Sequence, residues 1–150
     1  DDLAMQSSTL TNPETYREMI KPYHKKFFDF IKSKTDAKLH MHSCGSITPL
    51  LDDLIEIGVD IINPVQVSAA NMNPMDLKKE FGDRIVFWGG IDTQNVMPHG
   101  SAADVKNEVK NRVEEFDGYN GGYVICAVHN IQVDVPPENI LAMFDQGYAM

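Results

Sequence analysis

The residues with the clearest chemical potential lie in one short stretch, Lys38-Leu39-His40-Met41-His42-Ser43-Cys44-Gly45. It reads as a strand that ends in a glycine turn, with polar side chains where a buried strand would stay apolar. Strand side chains alternate with a period of two, so His40, His42 and Cys44 share one face and Leu39, Met41 and Ser43 the other. Imidazole nitrogen and thiolate sulfur are ligands that zinc prefers. A His-x-Cys pair on one face can present two of them to one ion, and a third must come from elsewhere in the chain. The competing reading is structural: Cys44 as a small buried hydrophobe, with the histidines satisfied by hydrogen bonds.

The elements that must position this stretch follow from the rest of the sequence. Asp1-Asp2-Leu3 reads as the tail of a preceding strand. Asn12 with Pro13 starts a helix in which Tyr16, Met19, Ile20, Phe27 and Ile31 recur at helical spacing, and Pro22 is expected to bend or break it. After the strand at His40, Ser46 is a candidate cap for a second helix, with Ile47, Leu50, Leu51, Leu54 and Ile55 inward and Gly58 as its stop. Val59 to Asn63 suits a buried strand closed by Pro64. Asn73-Pro74 starts a third helix that runs to Gly82. Arg84 to Trp88 is another buried strand, released by Gly89-Gly90. Ser101 caps a helix with Val105, Val109, Val113 and Phe116 in one apolar stripe. Gly121 to Val128 is the last strand, and Pro137-Glu138 begins a final helix with Leu141, Phe144 and Tyr148 inward.

Strict alternation of helix and strand implies a parallel sheet with helical crossovers. The strands end in distinct polar clusters: His42-Ser43-Cys44-Gly45, Asn63-Pro64-Val65-Gln66, Gly89-Gly90-Ile91-Asp92 and His129-Asn130. In a barrel such ends converge on one mouth, whereas an open sheet offers one crevice, and no glycine-rich phosphate loop follows any strand here. A full barrel takes eight strands and about 250 residues, so a chain with four is expected to be half of a (β/α)8 barrel, either cut from a larger enzyme or completed by another chain. The expected domain is a single partial barrel over residues 1–150.

Composition sets outer bounds. A chain of 150 residues with 43% hydrophobic and 23% charged residues has the make-up of one ordered globular domain. Thirteen Lys and Arg against 22 Asp and Glu give a net charge of −9, and basic residues cluster only at Lys25-Lys26 and Lys78-Lys79. That argues against nucleic acid or an anionic membrane as partner. Runs such as Ile85-Val86-Phe87-Trp88 are too short to span a bilayer, no secretion signal opens the chain, and the expected location is the cytoplasm. The two cysteines, Cys44 and Cys126, read as reduced thiols.

Several motifs carry a family resemblance. Pro13-Glu14-Thr15-Tyr16-Arg17, Ile20-Lys21-Pro22-Tyr23-His24-Lys25, His42-Ser43-Cys44-Gly45-Ser46, Gly58-Val59-Asp60-Ile61-Ile62-Asn63-Pro64-Val65-Gln66, Trp88-Gly89-Gly90-Ile91-Asp92-Thr93-Gln94 and His129-Asn130-Ile131-Gln132 occur in this order, with Pro136-Pro137-Glu138-Asn139 after them. The chain resembles the C-terminal half of the uroporphyrinogen decarboxylase superfamily. That superfamily contains cofactor-free porphyrinogen decarboxylases and zinc-dependent methyltransferases that move methyl groups between a corrinoid and a thiol or similar acceptor. Both use a (β/α)8 barrel, so the resemblance implies strands five to eight.

His42-Ser43-Cys44-Gly45 resembles the zinc motif of the methyltransferase branch. The resemblance thus implies zinc, a corrinoid protein as partner and a small-molecule substrate. It also implies a third ligand, a cysteine, from the last strand, and here Cys126 and His129 compete for that role. They differ by three positions, so a regular strand sends them to opposite faces and at most one reaches the metal; His129, at the strand end, is favoured. Asp92 and Asn63 are candidates to orient the acceptor or hold a ligand histidine, the alternative for Asp92 being a turn cap. Asp1 and Asp2 are expected near the mouth, and His40 one layer deeper. Decarboxylation of uroporphyrinogen is the alternative activity, and a third reading makes the isolated chain an inactive fragment that associates with a missing barrel half or a second copy through its open edges.

Overall fold

The computed structural model describes residues 2–150; Asp1, expected at the mouth, lies outside the described residues. Four strands form one parallel sheet in the order β1-β2-β3-β4: β1 (His40–His42), β2 (Ile61–Asn63), β3 (Val86–Ile91) and β4 (Tyr123–Ala127). Helices separate them in sequence. α1 (Pro13–Thr15) and α2 (Lys21–Lys32) precede β1, α3 (Leu51–Glu56) follows it, and α4 (Pro74–Phe81) lies between β2 and β3. α5 (Val96–His99) and α6 (Ala102–Glu115) lead to β4, and α7 (Pro137–Tyr148) ends the chain. The expected alternation is therefore present, with α5 as an addition.

Local chemistry explains most boundaries. The Asn12 side chain accepts from Glu14 N, and the Asn73 side chain from Met75 N and Asp76 N, so both Asn-Pro pairs start helices. Ser101 and Asp104 form a reciprocal capping box at α6. Pro22 does not break its helix. A π-helical turn over Tyr16–Ile20 joins α1 to α2 and leaves Pro22 in the first turn of α2, where a missing N–H is tolerated. Ser46 does not cap α3 either: a 3-10 turn over Thr48–Leu50 leads into it, and the Ser46 hydroxyl is buried without a partner among the described residues.

β3 does not stop at the glycines but runs through them to Ile91. Gly89 has φ +130°, and a Cβ there would meet Val65 N at 2.8 Å, so the strand passes the Pro64-Val65 loop only because that position carries no side chain.

The register divides the sheet into two faces. Ile62 and Phe87, partners across β2 and β3, are buried under the helices with Leu50, Leu51, Leu54, Phe81 and Phe116. A second cluster joins Ile91, Met97, Val105, Val109 and Met143 under α6 and α7. The expected α6 stripe is all core: Val105, Val109, Val113 and Phe116 are buried. At about 1.5–3 kcal/mol for each large apolar side chain fully buried, this stripe alone anchors the helix. The inward face predicted for α7 is different. Leu141, Phe144 and Tyr148 are exposed, while Asn139, Ala142 and Met143 face the core. Met19 and Phe27 on the first helical segment are exposed too, and Tyr16 is the residue that it buries. In both helices a broad apolar surface extends beyond the part that the sheet covers, and spacing alone does not say which part is covered.

Candidate metal centre

Opposite the helices, His40 aligns with Ile61 and His42 with Asn63, Trp88 aligns with Val124, and Gly90 with Cys126. The carboxyl end of this face carries the chemistry. One donor atom each from His42, Cys44 and His129 lies within 4.8 Å of the others, and among the described residues this is the group placed to hold a metal ion. The Cys44 Sγ to His42 Nε2 distance is 3.5 Å. Tetrahedral zinc with nitrogen and sulfur ligands at ordinary bond lengths sets its donors about 3.3–3.6 Å apart, so this pair already stands at that spacing. The His42 and His129 rings face each other edge to face, with centroids 5.7 Å apart.

His42 is oriented from behind. Its Nδ1 lies 2.8 Å from Asn63 Oδ1, which can only accept, so Nδ1 carries the proton and Nε2 presents its lone pair to the cluster. Asn63 is held in turn, donating from Nδ2 to Trp88 O at 3.3 Å. Cys44 is half-buried, and burial pushes its thiol up, with the Asp2 charge adding to the effect. Without a cation, the thiol form is favoured; a metal ion at the cluster would reverse that balance.

The loop beneath these donors is tied to the segment from Asp2 to Thr9. Leu3 N donates to the buried Ser43 Oγ at 2.9 Å, Cys44 N to Asp2 Oδ1 at 2.8 Å, and Ser46 N to Met5 O at 2.8 Å. Gly45 has φ +88°, and a Cβ there would meet Met5 O at 2.5 Å, so a glycine is needed for this close approach. Gly45 N donates to Gln66 Oε1 at 2.8 Å, and Gln66 Nε2 to Gln6 Oε1 at 2.6 Å. Gln66 and Gln6 were not among the residues singled out from the sequence. Gln66 belongs to a polar strand-end cluster, which was the available signal; Gln6, in a Ser- and Thr-rich connection, offered none.

The other candidates are placed as follows. Cys126 sits in β4 opposite Gly90 and is not part of the cluster, whereas His129 lies two residues beyond β4 and is. Asp92 caps the turn after β3: its Oδ1 accepts from Gln94 N at 2.7 Å and Asn95 N at 3.2 Å, and its Oδ2 accepts from Asn95 Nδ2 at 3.0 Å. His40 lies on the His42 face, edge to face with Trp88 at 5.1 Å between centroids.

Strands that run parallel, helices between them and polar groups at one end define a partial α/β barrel. The uroporphyrinogen decarboxylase (URO-D) family model matches residues 2–149, and the chain belongs to that family. A methylated-thiol–coenzyme M methyltransferase from Methanosarcina mazei is 23% identical over 136 residues, 91% of this chain and 33% of that protein. A uroporphyrinogen decarboxylase from Vibrio campbellii is 34% identical over 68 residues, 45% of this chain and 19% of that protein. Among solved structures, a methyltransferase from Methanosarcina mazei superposes with a TM-score of 0.74 at 21% identity, covering 93% of this chain and 38% of that one. The fold is thus part of a (β/α)8 barrel, and the chain spans a third or less of the length of these curated relatives. Among the described residues, no helix is long and apolar enough to cross a membrane.

Proposed function

We propose that this chain supplies the metal-holding half of a zinc-dependent methyltransferase, which moves a methyl group between a corrinoid on a partner protein and a thiol or similar small acceptor. The observation that carries the reading is the convergence of His42, Cys44 and His129 within 4.8 Å, with Asn63 behind His42. The donors suit zinc: two imidazoles and one thiolate leave one position open for substrate. When bound there, zinc would act as a Lewis acid that keeps a thiol acceptor ionised at neutral pH.

The chain's own residues do the positioning. Asn63 fixes the tautomer and ring plane of His42. Ser43, Gly45 and Gln66 hold the loop so that Cys44 faces His42. Asp92, bound to its own turn, acts at one remove by shaping the loop after β3. Cys126 lies below the strand end and takes no part in binding the ion.

The test is elemental analysis of the intact, reduced protein and of four alanine variants. Near-stoichiometric zinc is expected in the parent and in Cys126→Ala, and a loss in His42→Ala, Cys44→Ala and His129→Ala. With methylcobalamin and a small thiol, the zinc-loaded full-length enzyme that carries this half should transfer methyl groups, whereas the 150-residue chain by itself should not. A folded parent that binds no metal overturns this reading. It would favour the second one, metal-free decarboxylation of uroporphyrinogen, which is supported by the 34% identity over 68 residues with the Vibrio campbellii decarboxylase.

A further inference from the structure

The cluster has a neighbour that three-ligand bookkeeping leaves out. Asp2 Oδ1 stands 3.8 Å from His42 Nε2, at the edge of the group that His42, Cys44 and His129 form and outside it. The same oxygen accepts from Cys44 N at 2.8 Å, which leaves Oδ2 uncommitted by that bond. The carboxylate pairs with no lysine or arginine among the described residues; its ionic neighbour is His42. It is also held in place by its surroundings. Leu3 N is bonded to Ser43 Oγ, Ala4 is buried, and Met5 O accepts from Ser46 N across a gap that only Gly45 leaves open. An exposed aspartate is normally free to wander, but the backbone on its C-terminal side is tied to the metal loop at two points.

Resting on the metal-site reading above, we propose that Asp2 is the fourth, exchangeable donor of the site: it closes the metal position when no acceptor is bound and gives way when one enters. Charge makes the exchange favourable to anionic acceptors. A divalent ion with the Cys44 thiolate and two neutral imidazoles carries +1, and the Asp2 carboxylate brings this to zero. A thiolate that replaces the carboxylate restores the same balance, its proton having gone to solvent. A neutral acceptor would leave the site at +1 in a half-buried setting, which is costly. The occupant selected by this arrangement is therefore a small molecule with one soft, anionic donor atom.

The experiment compares the intact protein with Asp2→Asn and Asp2→Glu, loaded with Co(II) for its visible absorption, with 2-mercaptoethanol as the thiol probe. Asp2→Asn keeps an acceptor for Cys44 N but loses the anionic donor. Removing one donor should weaken Co(II) binding about tenfold in the absence of thiol. Linkage then requires 2-mercaptoethanol to bind the Co(II)-loaded Asp2→Asn protein about tenfold more tightly than the parent, since the thiol no longer competes with Asp2. Asp2→Glu should fall between the two. A merely structural role would weaken metal and thiol binding together. Equal or weaker thiol binding in Asp2→Asn, with metal still bound by the parent, overturns the proposal while leaving the three-ligand site standing. A parent that binds no metal overturns both.

Discussion

Asn63 is where the structure makes its sharpest quantitative claim. Changing it to Ala removes the acceptor 2.8 Å from His42 Nδ1 and leaves an imidazole whose side chain is 42% exposed free to turn. A neutral hydrogen bond of this kind contributes about 0.5–1.5 kcal/mol. Losing the fixed choice of ring orientation adds roughly 0.4 kcal/mol, the free energy of a twofold choice. The sum, about 1–2 kcal/mol, corresponds to a roughly 5- to 30-fold weaker zinc affinity, at the lower end of the 10- to 100-fold range for such outer partners. The assay is zinc competition against a calibrated chelator, with thermal unfolding of the metal-free protein as the control for folding. Asn63→Asp keeps a charged acceptor for His42 Nδ1 but loses the Nδ2 donation to Trp88 O, so it should bind zinc more tightly than Asn63→Ala. Unchanged affinity in Asn63→Ala would refute the orienting role. So would an Asn63→Asp protein that loses as much affinity as Asn63→Ala.

Other outcomes follow from the same contacts. Gly45→Ala places a methyl group 2.5 Å from Met5 O at φ +88°, so it should cost about 2 kcal/mol or more in chemical denaturation and expose residues 2–9 to faster amide exchange. Asp60 has its carboxyl pushed up by burial but held lower overall by Leu39 N–H, Lys32 and Lys38. A lowered folded pKa means that its stabilisation is present above the ordinary carboxylate range and lost as pH falls below about 4, so Asp60→Asn should flatten the acid limb of a stability-against-pH curve. The isolated 150-residue chain should show no methyl transfer on its own; measurable turnover by it would contradict the division of labour proposed above.

The fold was legible because parallel α/β units announce themselves through caps, prolines and short apolar runs. Asn12-Pro13, Asn73-Pro74 and Ser101 all start helices where their chemistry says they should. What misled was periodicity used to decide which side is covered. Leu141, Phe144 and Tyr148 have helical spacing, yet 63%, 52% and 88% of their surfaces are exposed. A wide apolar helix face contains more than one candidate stripe, and only the position of the sheet selects between them. Two-residue alternation did place His42 on one face with Asn63 beside it in the next strand. It did not separate Cys126 from His129 in the expected way: Cys126 pairs with Gly90 on the same face as His42, and His129 reaches the cluster from two residues beyond the end of β4. Asp2 was expected at the mouth and Gln66 lies in a legible strand-end cluster, but their bonds to Cys44 N and Gly45 N were not readable, because they depend on how close a glycine lets two distant loops come.

The positions of the donors within the sheet explain why this architecture suits the site. His42 is the last residue of β1 and Cys44 follows it, while His129 follows β4, so the cluster joins the two outermost strands of a four-stranded sheet. In a flat sheet those strands would stand about 14 Å apart, three spacings of roughly 4.8 Å, too far for short side chains to bring donor atoms within 4.8 Å of each other. The sheet must therefore curl toward the face that bears His40, His42 and Trp88, as a barrel wall does. The glycines of β3 lie in that wall, and Gly89 lets it close on the loop after β2. Curvature and site are then one property. A ligand that bridges β1 and the end of β4 would favour the curled state over any flatter one.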